Sequence, residues 1–323
     1  MKSSQIGCAG ILVEDIFCGP LAGLPAEGSL TAVSSLPTFP GGCAANVAID
    51  LIKQGAQVDI LGCVGDDGGA AILSSCFQKY GIRVDQLHVS RTLPTSRTVI
   101  LLIEGQDRRY IHVFGANAEL ATAHFRTEWL RTLGLLYVGG VFVLPGLGCT
   151  ALAEVLGRCR ALGVKTVVDV IVPENCAPAN EPDLAAMLAQ VDYFLPNDGE
   201  AQRMTGESEP ERQVAALLQL GARNVVVTQG EAGVTAAIGG RLWQAGAYRL
   251  AGVDPSGAGD AFASGLIIGI QQGWPVARML AYASAVGASA TRQVGTTESV
   301  FNHQEAMAYI EQHPLPVREY SLT

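Results

Sequence analysis

The stretch from Gly252 to Phe262, G-V-D-P-S-G-A-G-D-A-F, constrains this chain more than any other. Gly257, Ala258 and Gly259 are small, and an apolar run follows them, which predicts a loop that opens a helix. Backbone N–H groups at the start of a helix point toward a bound anion, and the helix dipole favours negative charge there. The stretch therefore predicts a site where an anionic group closely approaches the backbone.

Asp260 follows in the first turn of this predicted helix, so its carboxylate would lie beside the same anion. A carboxylate is a poor ligand for a phosphate because like charges repel. It suits a general base that takes a proton from the nucleophile attacking that phosphate. The alternative is a glycine-rich turn followed by a helix-capping acid, since short motifs also occur in unrelated chains.

Composition limits the classes of protein to which the chain can belong. With 323 residues, 49% hydrophobic and 16% charged, it can bury a sizeable core as one large α/β domain or two smaller ones. The net charge of −9 leaves no electrostatic footprint for nucleic-acid binding. No lysine follows a glycine as a Walker A loop requires, which excludes a P-loop nucleotide-binding protein.

The cysteines and the composition of a long uncharged run favour a soluble, cytoplasmic protein. Eight cysteines without a C-x-x-C pair are typical of buried thiols in a reducing cytosol rather than of a disulfide framework. The uncharged run 135–153 is long enough to span a membrane. Its glycines and Pro145 instead favour a buried strand, a loop and the start of a helix, so we expect no membrane segment.

Short apolar runs, several of them followed by helical patterns, organise the chain. They predict core strands at 6–13, 58–64, 135–138, 166–170, 193–195 and 225–228. This alternation predicts a mostly parallel sheet covered by helices on both faces. Residues 16–39, where Thr31, Val33 and Leu36 suggest short strands, and a hairpin of 97–103 and 109–114 would form a small separate sheet.

A second glycine-rich segment, G-G-C-A-A-N over residues 41–46, opens a predicted helix near the N-terminus. Gly41 and Gly42 allow a ligand to approach the backbone, and Asn46 offers both a donor and an acceptor to hydroxyl groups. By itself this segment is also compatible with an ordinary helix N-terminus.

The two glycine-rich segments together resemble the signatures of the ribokinase-like carbohydrate kinases, the PfkB family. V-D-P-S-G-A-G-D is similar to the family's D-T-x-G-A-G-D, and G-G-C-A-A-N to its G-G-x-x-x-N. Because the signatures lie near opposite ends, the resemblance covers nearly the whole chain. It implies a doubly wound α/β fold as a single domain over 1–323, with a small β-sheet lid formed by about 16–39 and 96–115.

The resemblance also implies an activity and a set of catalytic residues. It implies ATP-dependent transfer of the γ-phosphate to a primary hydroxyl of a sugar or sugar derivative, with Asp260 as the base. Gly257, Ala258 and Gly259 would stabilise the transferring phosphoryl group through their backbone. A lid sheet with apolar residues on both faces further suggests a homodimer.

For the acceptor, the resemblance implies four binding residues. Asp15, which follows Gly10 at the spacing of the family's G-x-x-x-x-D segment, would bind sugar hydroxyls together with Gly41, Gly42 and Asn46. The alternative for Asp15 is a solvated loop acid at the end of the first strand.

For the cofactor, the resemblance points to two further segments. Asn197 and Glu200 match the family's N-x-x-E motif and would hold Mg²⁺ through water, although the same pair is also typical of a helix-capping box. Thr228, Gly230 and Gly233 resemble the nucleotide-binding turn, and alone they are compatible with an ordinary β-turn.

Several relatives also carry a K⁺ site in the loop before the anion-binding helix. The matching residues here are Asp254 and Ser256. Polar side chains that border the predicted lid are placed to contact the acceptor, namely Arg97, Arg108, Arg109, His112 and Asn117.

Departures from the family pattern leave the acceptor open. The strand that contains Tyr137 ends in Gly139 and Gly140, where some sugar kinases place an acid. The segment that begins at Asp169 lacks the Asn and Arg of the D-x-N-x-R pattern. A sugar, a sugar acid, a nucleoside or a phosphosugar therefore stays possible as the substrate. A non-catalytic, sugar-sensing relative should have lost the base or the glycines of the anion loop, and this chain has both.

Overall fold

A computed structural model describes residues 4–106, 108–173, 181–252 and 254–322 of the chain. The strands are β1 Gln5–Gly10, β2 Val13–Leu21, β3 Thr38–Gly41, β4 Gln57–Gly65, β5 Arg83–Ser90, β6 Arg97–Ile103, β7 Arg109–Val113, β8 Leu135–Val141, β9 Lys165–Val170, β10 Tyr193–Leu195, β11 Val225–Thr228, β12 Val234–Ile238, β13 Arg241–Ala245 and β14 Val317–Ser321. The α-helices are α1 Cys43–Lys53, α2 Gly68–Tyr80, α3 Thr127–Leu130, α4 Cys149–Leu162, α5 Glu181–Leu188, α6 Asp198–Thr205, α7 Pro210–Gln219, α8 Ala258–Gln272, α9 Val276–Ala290 and α10 His303–Gln312.

Within this described part, ten strands form one large sheet in the order β14-β13-β12-β11-β10-β9-β8-β1-β4-β5. The strands from β11 to β5 in this order pair in parallel, whereas β12, β13 and β14 add an antiparallel edge. Central strands such as β8 are buried along their whole length. Helices must therefore cover both faces of the sheet.

The hydrophobic core has one part on each face of the large sheet. On one face, residues of α1, α2, α8 and α9 pack against the strands. On the other face, residues of α3, α4, α5 and α7 do so. This arrangement confirms the predicted doubly wound, mostly parallel α/β fold.

A second sheet of four strands, in the order β3-β2-β6-β7, lies apart from the large sheet in the described chain. The hairpin of β6 and β7 is antiparallel as predicted, and β2 pairs in parallel with β6. The strands suggested by Thr31, Val33 and Leu36 are wrong, because the described residues 22–37 form no strand. We refer to β3-β2-β6-β7 as the small sheet.

The first predicted strand is divided in two. Its core part, β1, ends at Gly10, whose φ of +138° is favourable for glycine alone. A Cβ at Gly10 would also overlap the carbonyl oxygen of Gly139 in β8. The chain then enters β2 of the small sheet at Val13, so Asp15 lies inside that sheet rather than after a core strand.

The uncharged run 135–153 has the predicted structure of strand, loop and helix start, since β8 covers its beginning and α4 starts at Cys149. In the residues that the structure describes, no helix combines the length and the apolar character needed to cross a bilayer.

Candidate active site

The loop before α8 has a conformation that requires glycine. Gly257 has a φ of +75°, and a Cβ there would overlap the carbonyl oxygen of Thr296. Ala258 begins α8 and Asp260 lies in its first turn. The N–H of Ala258 donates to the carbonyl oxygen of Pro255 over 3.2 Å, whereas the next N–H groups of the first turn have no partner within the helix and can bind an anion.

A pocket of about 190 Å³ opens at this helix start. Predicted catalytic and cofactor residues from three segments line it, namely Gly257, Ala258, Gly259, Asp260, Asn197, Glu200 and Thr228. Cys43 and Asp169 also line the pocket, although the sequence alone did not place them in a site. The fold thus brings the C-terminal signature and the N-x-x-E motif together.

Asp260 is held by hydrogen bonds from neutral groups. The Nδ2 of Asn46 donates to Oδ2 of Asp260 over 2.8 Å, and the hydroxyl of Thr296 donates to Oδ1 of Asn46 over 2.9 Å. Burial raises the pKa of Asp260, while hydrogen bonds from Asn46 and Cys43 counteract that effect. The carboxylate is therefore a stronger base than an exposed aspartate.

This geometry gives Asn46 a contact that the sequence did not predict. Its amide was expected to contact the acceptor, yet both ends of the amide are used by Asp260 and Thr296. Its role in acceptor binding stays a prediction, whereas its contact with the candidate base is observed.

Asp15 is buried in the small sheet near Asp260. A Cβ at Gly41 would overlap Oδ2 of Asp15, so the glycine makes room for this carboxylate. The pKa of Asp15 is raised to about 6, mainly by burial and also by the charge of Asp260, against the opposing effect of a hydrogen bond from Thr98. Gly42, with a φ of +89°, is the N-cap residue of α1.

Asp169, near the end of β9, places a further carboxylate in the pocket lined by Asp260. The hydroxyl of Tyr137 donates to its Oδ2 over 2.9 Å. Burial raises the pKa of Asp169, and the charges of Asp260 and Glu200 add to the effect. Ligand atoms of Cys43, Asp169 and Asp260 lie within 4.8 Å of one another. The position of Asp169 at a strand end was the signal in the sequence.

Asn197 and Glu200 form the capping box that the sequence left as an alternative. The N–H of Glu200 donates to Oδ1 of Asn197 over 2.9 Å, and the N–H of Asn197 donates to Oε2 of Glu200 over 2.8 Å. Both residues also line the pocket, so capping and ligand binding are compatible here. Burial raises the pKa of Glu200 to about 7, although backbone hydrogen bonds and Arg203 counteract it.

In the turn after β11, Thr228 lines the pocket. Gly233 has a φ of +103°, and a Cβ there would overlap the carbonyl oxygen of Ala245. Gly230, with a φ of +55°, has open space around it. The two glycines therefore permit the conformation of the turn, and Thr228 is its residue that lines the pocket.

The two residues of the predicted K⁺ site contact the side chain of Arg108, which lies directly before β7. Arg108 donates to Oδ1 of Asp254 over 2.6 Å and contacts the hydroxyl of Ser256. Asp254 also accepts from the N–H groups of Ser256 (2.9 Å) and Gly295 (3.3 Å). Asp254 thus joins the small sheet to the anion loop.

Other polar residues that border the small sheet have partners within the protein. Asn117 is buried and pairs with both the N–H and the carbonyl oxygen of Leu12. Its amide therefore holds the start of β2 rather than a ligand. Arg97 forms an ion pair with Glu14 over 2.5 Å.

The family of this chain follows from comparison with known proteins. Residues 9–302 match the model of the family described as "pfkB family carbohydrate kinase". The chain belongs to this family. Because the match covers most of the chain, membership confirms the predicted enzyme class, a carbohydrate kinase.

Curated relatives of the chain are named kinases. Ribokinase of Bacillus subtilis (strain 168) is 28% identical over 262 residues, covering 80% of this chain and 84% of the relative. The 2-dehydro-3-deoxygluconokinase of the same organism is 27% identical over 301 residues, covering 88% and 90%. These family members have different acceptors, so the relatives leave the acceptor of this chain open.

Solved structures confirm the ribokinase-like fold. A putative ribokinase II from E. coli, in complex with ATP and Mg²⁺, is similar at a TM-score of 0.82 and 23% identity, covering 97% of this chain and 100% of that chain. Arabidopsis thaliana ribokinase, in complex with ribose and ATP, is similar at a TM-score of 0.83 and 22% identity, covering 96% and 99%.

Proposed function

We propose that this protein transfers the γ-phosphate of ATP to a primary hydroxyl of a sugar or sugar derivative, with Asp260 as the catalytic base. The observation that carries the proposal is the position of Asp260 in the first turn of α8, beside the anion loop and hydrogen-bonded to Asn46. An acceptor hydroxyl placed between this carboxylate and the loop would meet both a base and an anion-binding backbone.

The chain's own groups have distinct tasks in this reaction. Asp260 accepts the hydroxyl proton as the oxygen attacks the phosphorus. The N–H groups around Gly257, Ala258 and Gly259 stabilise the charge on the transferring phosphoryl group. One such donor commonly contributes about 3–4 kcal/mol to transition-state stabilisation.

We assign ATP and Mg²⁺ to the side of the pocket lined by Asn197, Glu200 and Thr228. A buried carboxylate with a pKa raised to about 7 fits a cation site, because a bound cation would favour its ionised form. Hard oxygen atoms are the donors that Mg²⁺ prefers, usually through its water shell. When bound, Mg²⁺ neutralises charge on the β and γ phosphates.

The expected K⁺ site at Asp254 and Ser256 also enters the proposal, with the guanidinium group of Arg108 in the place of K⁺ in the parent enzyme. The guanidinium group of Arg108 lies against both residues, so K⁺ would bind there only after Arg108 moves away. Arg108 thus supplies positive charge at the position where several relatives use K⁺.

We further propose a cytoplasmic homodimer. Exposed apolar residues on β7, Tyr110, Ile111 and Val113, support pairing through the small sheet. The seven described cysteines are free thiols, as in a reducing compartment, and Cys176 lies outside the described residues. Light scattering of the purified protein measures the oligomeric state directly.

ADP release from purified protein with Mg-ATP and K⁺ tests the proposed reaction. The acceptor panel contains pentoses, hexoses, sugar acids, phosphosugars and nucleosides. We expect one acceptor class to stimulate ADP release, with the product phosphorylated at a primary hydroxyl by NMR. If no acceptor stimulates release and calorimetry detects no ATP binding, the proposed reaction is wrong.

A further inference from the structure

Three carboxylates, those of the buried Asp15 and the partly buried Asp169 and Asp260, lie on the side of the site that we assign to the acceptor. Asp169 and Asp260 line the same pocket, with ligand atoms within 4.8 Å of each other and of Cys43. Asp15 approaches from the small sheet, close enough for the charge of Asp260 to raise its pKa. The acceptor side of the pocket is therefore strongly acidic.

The partners of these three carboxylates are neutral. Tyr137 donates to Asp169, and Asn46 donates to Asp260. Thr98 forms the side-chain hydrogen bond of Asp15. Across the ranges that the structure describes, none of the three forms an ion pair with a Lys, Arg or His.

The cations that border this region are already engaged. Arg97 pairs with Glu14, and Arg108 pairs with Asp254. Lys53 donates to the carbonyl oxygen of Thr297. The undescribed stretch 174–180 contains no Lys, Arg or His in its sequence. Arg97 and Arg108 are thus compensated by carboxylates, and the exposed Arg109 donates to Gln106.

An anionic group on the acceptor would be unfavourable in this setting for two reasons. It would repel the carboxylates in a partly buried site, where Coulomb interactions are stronger than in water. It would also raise the pKa of Asp260 further and keep the base protonated. Sugar hydroxyls, by contrast, donate hydrogen bonds that buried carboxylates can accept.

We propose that the acceptor is an uncharged polyhydroxy compound, and that the enzyme discriminates against phosphosugars and sugar acids. This inference rests on the proposed kinase function and narrows its acceptor. Asp15 and Asp169 are the specificity-determining residues, since they accept hydroxyl hydrogen bonds and repel carboxylates and phosphates.

Matched acceptor pairs test this specificity. We would compare kcat/KM for fructose with fructose 6-phosphate, for glucitol with gluconate, and for the other neutral panel members with their anionic counterparts. The neutral members should be preferred by about tenfold or more for each added negative charge. An equal or higher kcat/KM for the anionic members would overturn the inference and leave the kinase function standing. If no acceptor of either kind stimulates ADP release and calorimetry detects no ATP binding, both the inference and the kinase function are overturned.

Charge variants separate this specificity from a general effect on binding. In Asp169→Asn and Asp15→Asn, the ratio of kcat/KM for anionic over neutral acceptors should rise several-fold, by up to about tenfold. Asp85→Asn removes a charge from the exposed, distant strand β5 and should leave the ratio unchanged. ATP binding identifies a variant that fails to fold. An unchanged ratio in both folded variants would contradict the proposal.

Discussion

Asn46 of α1 donates a hydrogen bond of 2.8 Å to Asp260 of α8, across 214 residues of sequence. This bond joins the N-terminal glycine-rich signature to the C-terminal one. Thr296 fixes the amide by donating to its oxygen, which leaves the Nδ2 of Asn46 facing the base. The candidate base is therefore oriented by a neutral network that leaves its charge available for catalysis.

The hydroxyl of Thr296 should matter for turnover although it does not touch the base. Thr296→Val removes the donor that orients Asn46, and we expect kcat to fall about fivefold because one neutral hydrogen bond contributes roughly 1 kcal/mol. Thr296→Ser keeps the hydroxyl and should retain most of the activity. Steady-state kinetics with saturating ATP provides the comparison, and equal losses in both variants would contradict the orienting role.

Asn46→Ala should change the pH dependence of the reaction. The hydrogen bond from Asn46 favours the ionised form of Asp260 and lowers its pKa against the effect of burial. Without this hydrogen bond the pKa of Asp260 rises. When the solution is acidified, the variant should therefore lose activity at a higher pH than the parent does, because the ionised base is needed. The acid limb of the pH profile of kcat/KM measures this shift in the pKa of Asp260.

A loss of affinity alone would lower kcat/KM at every pH without moving that limb. Asp15, whose pKa burial raises to about 6, titrates in parent and variant alike. An unmoved limb, or one displaced to lower pH, would show that Asn46 does not tune the base.

The central α/β fold could be predicted from the sequence because core strands are continuous apolar runs. The predicted strand 193–195 matches β10, and 225–228 matches β11. The sequence missed β5, R-V-D-Q-L-H-V-S, because this edge strand carries polar and charged side chains that weaken the apolar signal. The division of the first strand at Gly10 was also missed, since it depends on contact with the distant Gly139.

The site was predictable where a local motif defines it, as for the loop before Asp260. Contacts between distant segments were not predictable from one sequence. Asn46 with Asp260, and Arg108 with Asp254, are separated by 214 and 146 residues. Only the fold brings such pairs together. Asn117 was expected to contact the acceptor, but its side chain instead donates to the carbonyl oxygen of Leu12.

Arg108→Ala should make the enzyme responsive to K⁺. Removing the guanidinium group leaves the buried Asp254 without its cationic partner, which we expect to lower kcat/KM by about tenfold or more in K⁺-free buffer. Added K⁺ should restore part of this loss by binding at Asp254. Arg109→Ala, which removes an exposed neighbour bonded to Gln106, is the matched control. Identical K⁺ responses in the two variants would contradict this account of Arg108.

Asp50 in α1 should affect stability rather than catalysis. Its side chain is fully buried, neither carboxylate oxygen has a hydrogen-bond partner among the described residues, and burial raises its pKa despite Lys53 nearby. Such a group contributes stability below its unfolded pKa, and the contribution is lost as pH rises through the higher folded pKa.

The neutral variant Asp50→Asn should therefore match the parent in acid and exceed it at alkaline pH, by roughly 1–2 kcal/mol. Denaturant unfolding from about pH 3 to 9, which starts below the unfolded pKa of an aspartate, measures the difference, with Asp85→Asn as the exposed control. Lower stability of Asp50→Asn at alkaline pH would be the opposite of this expectation.

The most direct test of the account is the turnover of Asp260→Asn with the best acceptor, measured together with its ATP affinity. The variant keeps the shape of the side chain but cannot accept the hydroxyl proton as an aspartate does. We predict that kcat falls by about two to four orders of magnitude, while ATP binding and thermal stability are retained. Nearly normal turnover in Asp260→Asn would contradict the assignment of Asp260 as the base.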